Sequence, residues 1–533
     1  MLHRWRLALV LALAVGVVAV GRTGSFVAGG ADSYGYISEA RLWLGGDLHV
    51  RQDVMQAAQW PNAQGTFTPL GYTPASDPFM IVPVHAPGLP LLMAGAVLVA
   101  GWCAAFWIVP VSGAVLVVST YAIGARVGRP LVGLAAAWLV ATSPAILSTL
   151  VNPMSDLPAA ACFAAAVAFV LGPGRAAAGA AGLAVAAGIL IRPNLVPVAA
   201  PFVIYTLVGD LRIRPRTLRA LVTPWFVAAV ALGVIVEGAV NDRLYGSPFS
   251  SGYGTLDYQA AYFWPNVRVY AEWLASTQTP AVFLGLASLG LPIARLWTTP
   301  SSRRALWFLS LYAAAVALPF LFHTVREAWW YLRYVAAMWP VMMLGVAACA
   351  AAVWRTGRPW ARVAAVLALA ALGWHGLSDA GRRGVFQTRA GEQKYIDAAR
   401  IVGARVALRD AVLAVQHSGS VRHYAGRMTI RWDLFQPGTL DRAIDWLAAS
   451  GHHPYLLAEP WEIEIFRERY GGSDAVGQLD WAPLVTLEAA SVVHLYDLSD
   501  RTGRPQATEI IATHGLPAGE QCIRPAAPLP FDW

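Results

Sequence analysis

Ten apolar runs punctuate the chain, and each must find a backbone partner for every N–H and C=O it carries. They lie at 7–21, 84–123, 131–149, 157–172, 176–208, 220–238, 280–297, 305–322, 334–354 and 361–377. Most are long enough to cross a hydrocarbon layer, which takes about 20 residues of helix. In lipid only helices and closed barrels satisfy their own backbone, and unbroken runs of Ala, Leu and Val without alternation read as helices. The fifth run is interrupted by Arg192-Pro193-Asn194 and reads as two short helices with a polar turn. The expected architecture is a polytopic α-helical membrane protein with about eleven crossings.

Charge gives the orientation. Charged residues make up 13% of the chain, against 57% hydrophobic, and the net charge is +8. A basic balance invites a nucleic-acid partner, but the arginines sit in short clusters between apolar runs, where they set topology. No nucleic-acid partner is expected. The clusters are Arg126 with Arg129, Arg175, Arg212 to Arg219, Arg303 with Arg304, and Arg355 to Arg362. With all of them cytoplasmic, the loops 22–83, 150–156, 192–194, 239–279, 323–333 and everything past 378 face outward. This requires 86–99, with its prolines, to lie on or dip into the outer surface, and Trp102 to Ile123 to be the second span. The first run has a basic start and no clear small-residue cleavage site, so it reads as a retained span rather than a signal peptide. Cys103, Cys162 and Cys349 fall in apolar runs and Cys522 in the tail; no disulfide framework or metal-ligand spacing is expected from them.

Past residue 377 the pattern changes. Helical character at 391–400, 440–449 and 460–470 alternates with strand character at 411–415, 454–458 and 491–496. The expected organisation is a transmembrane domain over 1–380 with a large first outer loop at 22–83, a small extracytoplasmic α/β domain over 385–500, and a loosely ordered tail over 501–533.

Several polar residues stand where apolar runs meet the outward loops. Asp32 follows the first run, with Tyr34, Tyr36 and Glu39 beside it and Gly45-Gly46-Asp47 after a helical stretch. A carboxylate there can act as a general base on an acceptor hydroxyl or amine, or simply favour a helix N-terminus. His85 lies in His85-Ala86-Pro87-Gly88-Leu89-Pro90 and reads first as structural, with partnering or metal ligation as its chemical alternative. Asp156 in Asn152-Pro153-Met154-Ser155-Asp156 can cap the next helix, orient an acceptor, or join Asp32 in holding a divalent metal on a phosphate. Arg192, at the break in the fifth run, is costly to bury without a partner. It can hold a phosphate or snorkel to the interface. Tyr253 sits in a turn-rich aromatic loop. Arg333 and Tyr334 close Arg326-Glu327-Ala328-Trp329-Trp330-Tyr331-Leu332-Arg333-Tyr334, where phosphate contact and interfacial anchoring are both open.

Together these motifs resemble membrane glycosyltransferases of the GT-C superfamily. The entry Asp32-Ser33-Tyr34-Gly35-Tyr36 into the first outer loop carries the superfamily resemblance, and the block from Tyr72 through His85 to Leu92 resembles the glycosyltransferase 39 group. That group includes protein O-mannosyltransferases, lipid A aminoarabinose transferases and lipopolysaccharide galacturonosyltransferases. The usual Tyr-Pro is replaced here by His85-Ala86. The resemblance implies Asp32 as catalytic base and Tyr34, Tyr36, Glu39, His85, Asp156, Arg192, Tyr253, Arg333 and Tyr334 as substrate-binding. It implies a metal, if one is used, at Asp32 and Asp156. The donor would be a polyprenyl-phosphate sugar, the acceptor a glycan, lipid or protein, and the location the bacterial cytoplasmic membrane with the N-terminus inside and the C-terminal domain outside. A secondary transporter or flippase is the main alternative, but it predicts repeat symmetry and mid-span ionisable residues. A scaffold or sensor, and a lipid-linked phosphotransferase, are the others.

Overall fold

The computed structural model describes residues 4–127, 129–213, 221–254, 256–290, 300–499, 508–512 and 521–526. Eight helices among these are long and apolar enough to cross a membrane: Arg4–Thr23, Ala104–Val127, Gly174–Ile191, Pro193–Leu211, Thr223–Tyr245, Arg303–Leu321, Trp329–Trp354 and Pro359–Arg382. The pair Pro130–Ala141 and Pro144–Leu150, bent by 61°, makes a ninth. The expected fourth and eighth spans are the short helices Asp156–Val170 and Ala281–Gly290, the latter ending where the described residues break off. Hence eight or nine, rather than about eleven, satisfy length and composition. The protein is multi-pass.

Local chemistry explains the boundaries. Helices begin with proline at their first positions at Pro130, Pro144 and Pro359, where the missing N–H is not needed. The fifth run does break at Arg192, whose extended backbone separates Ile191 from a 3-10 turn over Pro193–Val198. Gly88–Ala100 is a separate 13-residue helix, about 20 Å long and so shorter than a bilayer core. Its Leu98 and Val99 are among the most exposed apolar residues of the chain. Two of the bundle's large buried polar side chains are matched: the fully buried Trp339 donates to Ser143 Oγ at 2.8 Å and Tyr312 to the Ala337 carbonyl at 2.8 Å.

The C-terminal region contains a six-stranded mixed sheet. Across it run Met428–Ile430, Ala411–Leu413, Pro454–Ala458, Val492–Asp497, Val485–Glu488 and Glu509–Ala512. The first three are parallel, with Leu413 opposite both Ile430 and Leu456; Val492–Asp497 runs antiparallel to both its neighbours. Strands 428–430 and 485–488 were not evident in the sequence, each being four residues or fewer and lying between loops.

This region is docked on the first large loop. Arg422 Nη2 donates to the Phe67 carbonyl at 2.5 Å, Arg431 N to the Thr66 carbonyl at 2.6 Å, and Ala28 N to the Tyr424 hydroxyl at 2.7 Å. Behind that seam the chain's single lysine, Lys394, contacts both oxygens of Glu459 at 2.7 and 3.0 Å, and His417 Nε2 stands 3.3 Å from the same carboxylate. Burial opposes ionisation of Glu459, but His417 and Lys394 outweigh it and hold the carboxyl down at about 2.

Two expectations about the tail are corrected. Residues 501–507, 513–520 and 527–533 lie outside the described set, but Glu509–Ala512 adds a strand parallel to Val485–Glu488. Cys522 is joined to Cys103 in a disulfide, although no such pairing was expected. A separation of 419 residues hides it from any spacing argument, while the fold brings the two Cα atoms to 5.3 Å. Alkylation of the denatured, unreduced protein should therefore modify two cysteines, Cys162 and Cys349, and reduction should raise the count to four in intact-mass measurement. Four modifications without reduction would contradict the bond.

Candidate functional site

A cavity of about 380 Å³ lies where the loops meet one end of the bundle. Every loop expected to face outward up to residue 333 contributes to it: Asp32 from the first, Ser155 and Asp156, Arg192 to Asn194, Asn241 to Tyr258, and His323 to Arg333. Arginine loops expected on the other face group elsewhere, as where Arg304 donates to the Tyr205 carbonyl at 2.6 Å.

Two carboxylates and two guanidiniums form the centre. Asp32 and Asp156 each occupy the first residue of a helix, where an anion suits the unpaired N–H groups. Arg333 Nη2 donates to Asp32 Oδ2 at 3.2 Å, and its Nε is 4.0 Å from Asp156 Oδ2. Arg192 Nη1 donates to Asp156 Oδ1. Arg333 thus bridges the acids, Arg192 secures the second, and both guanidiniums lie over the Tyr334 ring at 5.5 and 5.6 Å. Arg326 lies over Tyr331 at 5.4 Å, and its Nε has no hydrogen-bond partner.

His85 faces the other oxygen of Asp32, Nε2 to Oδ1 at 3.8 Å, and its ring lies 4.1 Å from that of Tyr36. Tyr36 in turn donates to Ser155 Oγ at 2.8 Å, tying the Asp32 helix to the Asp156 turn. The approach depends on Gly35, because a Cβ there would overlap the His85 ring. Burial alone would raise the Asp32 carboxyl, but His85 and the Arg333 guanidinium together hold it well below the usual carboxylate range.

The sequence-predicted residues divide cleanly. Asp32, Tyr36, His85, Asp156, Arg192, Tyr253, Arg333 and Tyr334 all line the cavity. Tyr34 faces away, its ring against Tyr72 and edge-on to His423, with Gly419 packed beneath it. Glu39 is buried behind the wall and receives the Trp43 indole N–H at 3.1 Å. Burial raises its carboxyl well above the usual range, and nearby Glu237 acts in the same direction against the Trp43 bond. The Gln416 to Ser420 turn is used in docking: Ser418 Oγ accepts from Leu70 N at 3.2 Å. Residues not singled out from sequence also line the cavity, among them Glu237, Asn241, Tyr258, His323 and Arg326. Glu237 had a signal, being an acid inside an apolar run.

No group of three or more His, Cys, Asp or Glu side chains among the described residues is arranged to hold a metal. Asp32 and Asp156 are each engaged by a guanidinium, so this donor set does not fit a resident divalent ion as it stands.

No protein-family model matches the sequence, and no curated protein matches it significantly. Solved structures do match in fold. ArnT from Cupriavidus metallidurans bound to undecaprenyl phosphate superposes with TM-score 0.53 at 14% identity, over 94% of this chain and 99% of that one. Its apo state gives 0.55 at 14% identity, over 95% and 100%. The archaeal oligosaccharyltransferase AglB from Archaeoglobus fulgidus, in complex with an inhibitory peptide and a dolichol-phosphate, gives 0.55 at 12% identity, over 94% and 75%. The chain has the GT-C fold.

Pairing rather than exposure keeps the charged centre stable. Arg192→Met should strand the Asp156 carboxylate, whose side chain is 4% exposed, and lower stability by about 3–5 kcal/mol. Combining it with Asp156→Asn should recover much of that loss in thermal unfolding. Equal destabilisation by the single and double variants would show that the pair contributes nothing.

Proposed function

We propose that this protein is an integral membrane glycosyltransferase that moves a sugar from a polyprenyl-phosphate donor to an acceptor hydroxyl or amine on the extracytoplasmic face. The observation that carries the reading is the Asp32–Arg333–Asp156–Arg192 constellation lining one cavity in a GT-C fold. Two solved proteins of this fold were captured with undecaprenyl phosphate and dolichol-phosphate. A lipid phosphate is the ligand that paired guanidiniums at the membrane edge are suited to hold.

In the reaction, the C1–O bond between sugar and phosphate breaks and its electron pair leaves with the polyprenyl phosphate. The acceptor oxygen or nitrogen bonds to C1, and its proton passes to an Asp32 carboxylate oxygen. Arg333, Arg192 and Arg326 hold the negative charge that develops on the phosphate. In the free protein Arg333 weakens Asp32 as a base. An arriving phosphate competes for that guanidinium, so donor binding raises the basicity of Asp32 when the proton must be taken. His85, braced by Tyr36 and allowed in by Gly35, orients the second carboxylate oxygen. No step is routed through a metal; to hold one, Asp32 and Asp156 would have to exchange their guanidinium partners. Activity before and after a chelator reads this directly.

The Cys103–Cys522 disulfide supports the outward assignment of this face and of the C-terminal sheet, since such bonds persist in oxidising compartments. The arginine-rich loops would then be cytoplasmic, with a bacterial inner membrane the expected setting.

Purified protein in lipid, given a panel of radiolabelled polyprenyl-phosphate sugars, should transfer or slowly hydrolyse at least one. Asp32→Asn should lower kcat by about 10²–10⁴ while donor affinity changes little. Equal turnover by the two proteins would remove Asp32 from the role of base. Arg333→Met should weaken donor binding and free the Asp32 carboxyl to rise, moving the acid limb of the pH–rate profile upward by about 1–3 units. An unmoved limb would mean that Arg333 does not control this carboxylate.

A further inference from the structure

The constellation around Asp32 accounts for one region of the cavity wall. Another belongs to the helix Thr223–Tyr245, which is apolar for most of its length. Its Leu232, Ile235 and Val236 are exposed, as befits a face turned to lipid. Glu237 is only 7% exposed and lines the cavity, followed at one-turn intervals by Asn241 and Tyr245, which line it as well. Tyr245 is fixed by donating to the Pro83 carbonyl at 2.7 Å, so this polar ladder is anchored at its outer end. Glu237 lies eight residues before the end of the helix, about 12 Å inward along its axis.

The Glu237 carboxyl is conspicuous for what it lacks. Its Oε2 is buried without a hydrogen-bond partner, and among the described residues no cation is paired with it. Asn241, one turn further along the helix, is its polar neighbour on the cavity wall. Glu39 stands behind with its own Oε2 unpartnered, its Oε1 being taken by the Trp43 indole N–H. An unsatisfied buried carboxyl oxygen is costly, and acids within spanning helices are rare unless they serve a pathway or ligand.

We infer that Glu237, supported by Asn241, determines donor specificity by accepting hydrogen bonds from hydroxyl or ammonium substituents of the lipid-linked sugar. This rests on the functional reading above. With phosphate at Arg192 and Arg333, the sugar attached to it occupies the same cavity, and its ring substituents are the nearest donors for the free oxygen. A neutral or amino sugar satisfies Glu237. A sugar carrying its own carboxylate brings two acceptors together and is rejected.

The test uses full-length protein in lipid nanodiscs and compares binding of bare polyprenyl phosphate with that of polyprenyl-phosphate neutral sugars, amino sugars and uronic acids. Wild type should bind a neutral or amino-sugar donor about tenfold or more tightly than the bare lipid phosphate, and a uronic acid donor no more tightly. Glu237→Gln, which keeps the shape, should lose most of the preference over uronic acid and leave bare lipid phosphate binding within about twofold. Glu237→Leu should bind every glycosylated donor about as weakly as the bare lipid. For donors that turn over, KM should rise with kcat nearly constant, which a merely structural role would not produce.

If both variants keep the wild-type order of donors, or if KM changes only for the acceptor, the inference is overturned while the glycosyltransferase reading stands. If wild type binds bare lipid phosphate but no sugar more tightly, Glu237 is likewise no donor subsite. Failure of wild type to bind any lipid phosphate takes down the functional reading, and this inference with it.

Discussion

The pairing of Arg333 with Asp32 and of Arg192 with Asp156 is the interaction on which the rest of the cavity depends. Each partner comes from a different part of the chain: a loop helix, the first residue of a short helix, a break between spans and the approach to Trp339. None could be buried alone at the edge of a bilayer without a large desolvation cost. Together they neutralise one another and join elements far apart in sequence. Arg333 is the member that reaches both acids, so it is a structural bridge and, together with His85, holds the Asp32 carboxyl down. In the proposed reaction such a pair would also be poised for exchange, because a donor phosphate would offer the guanidiniums an alternative partner of the same sign as the carboxylates.

Much of this was legible in the sequence because membranes impose strict rules. Apolar runs, the Arg192-Pro193-Asn194 break and the segregation of acids from arginine clusters all follow from backbone satisfaction and charge cost. The helices Leu440–Ala449 and Pro460–Tyr470 and the strand Pro454–Ala458 appear with the expected limits, each being bounded by Gly, Pro or charge. Most site residues could be located because an ionisable group beside an apolar run is conspicuous.

What escaped had physical reasons as well. Tyr34 and Tyr36 are two residues apart and look equivalent in sequence, yet the half turn of helix between them sends Tyr36 to the cavity and Tyr34 to the C-terminal region. Period alone cannot choose between two buried faces when different elements cover each of them. Glu237 was absorbed into a run whose average hydropathy masks a single acid. Strands of three or four residues and a disulfide linking a loop to the tail are set by tertiary contacts, which leave no local pattern.

The C-terminal sheet does more than cap the protein. Gly29 and Gly30, immediately before the Asp32 helix, lie against Tyr395, and a Cβ at Gly29 would collide with that ring. Tyr395 follows Lys394, which is held by Glu459, which in turn meets His417. Gly419, in the turn after His417, lies directly under Tyr34. The loop carrying Asp32 is thus clamped between the bundle through Arg333 and the sheet region through Tyr34 and Gly29. In the proposed reaction a carboxylate acting as base on an acceptor would tolerate displacements well under 1 Å. A helix held from one side by a bridging guanidinium and from the other by packed aromatics meets that demand, which a free loop of some sixty residues would not.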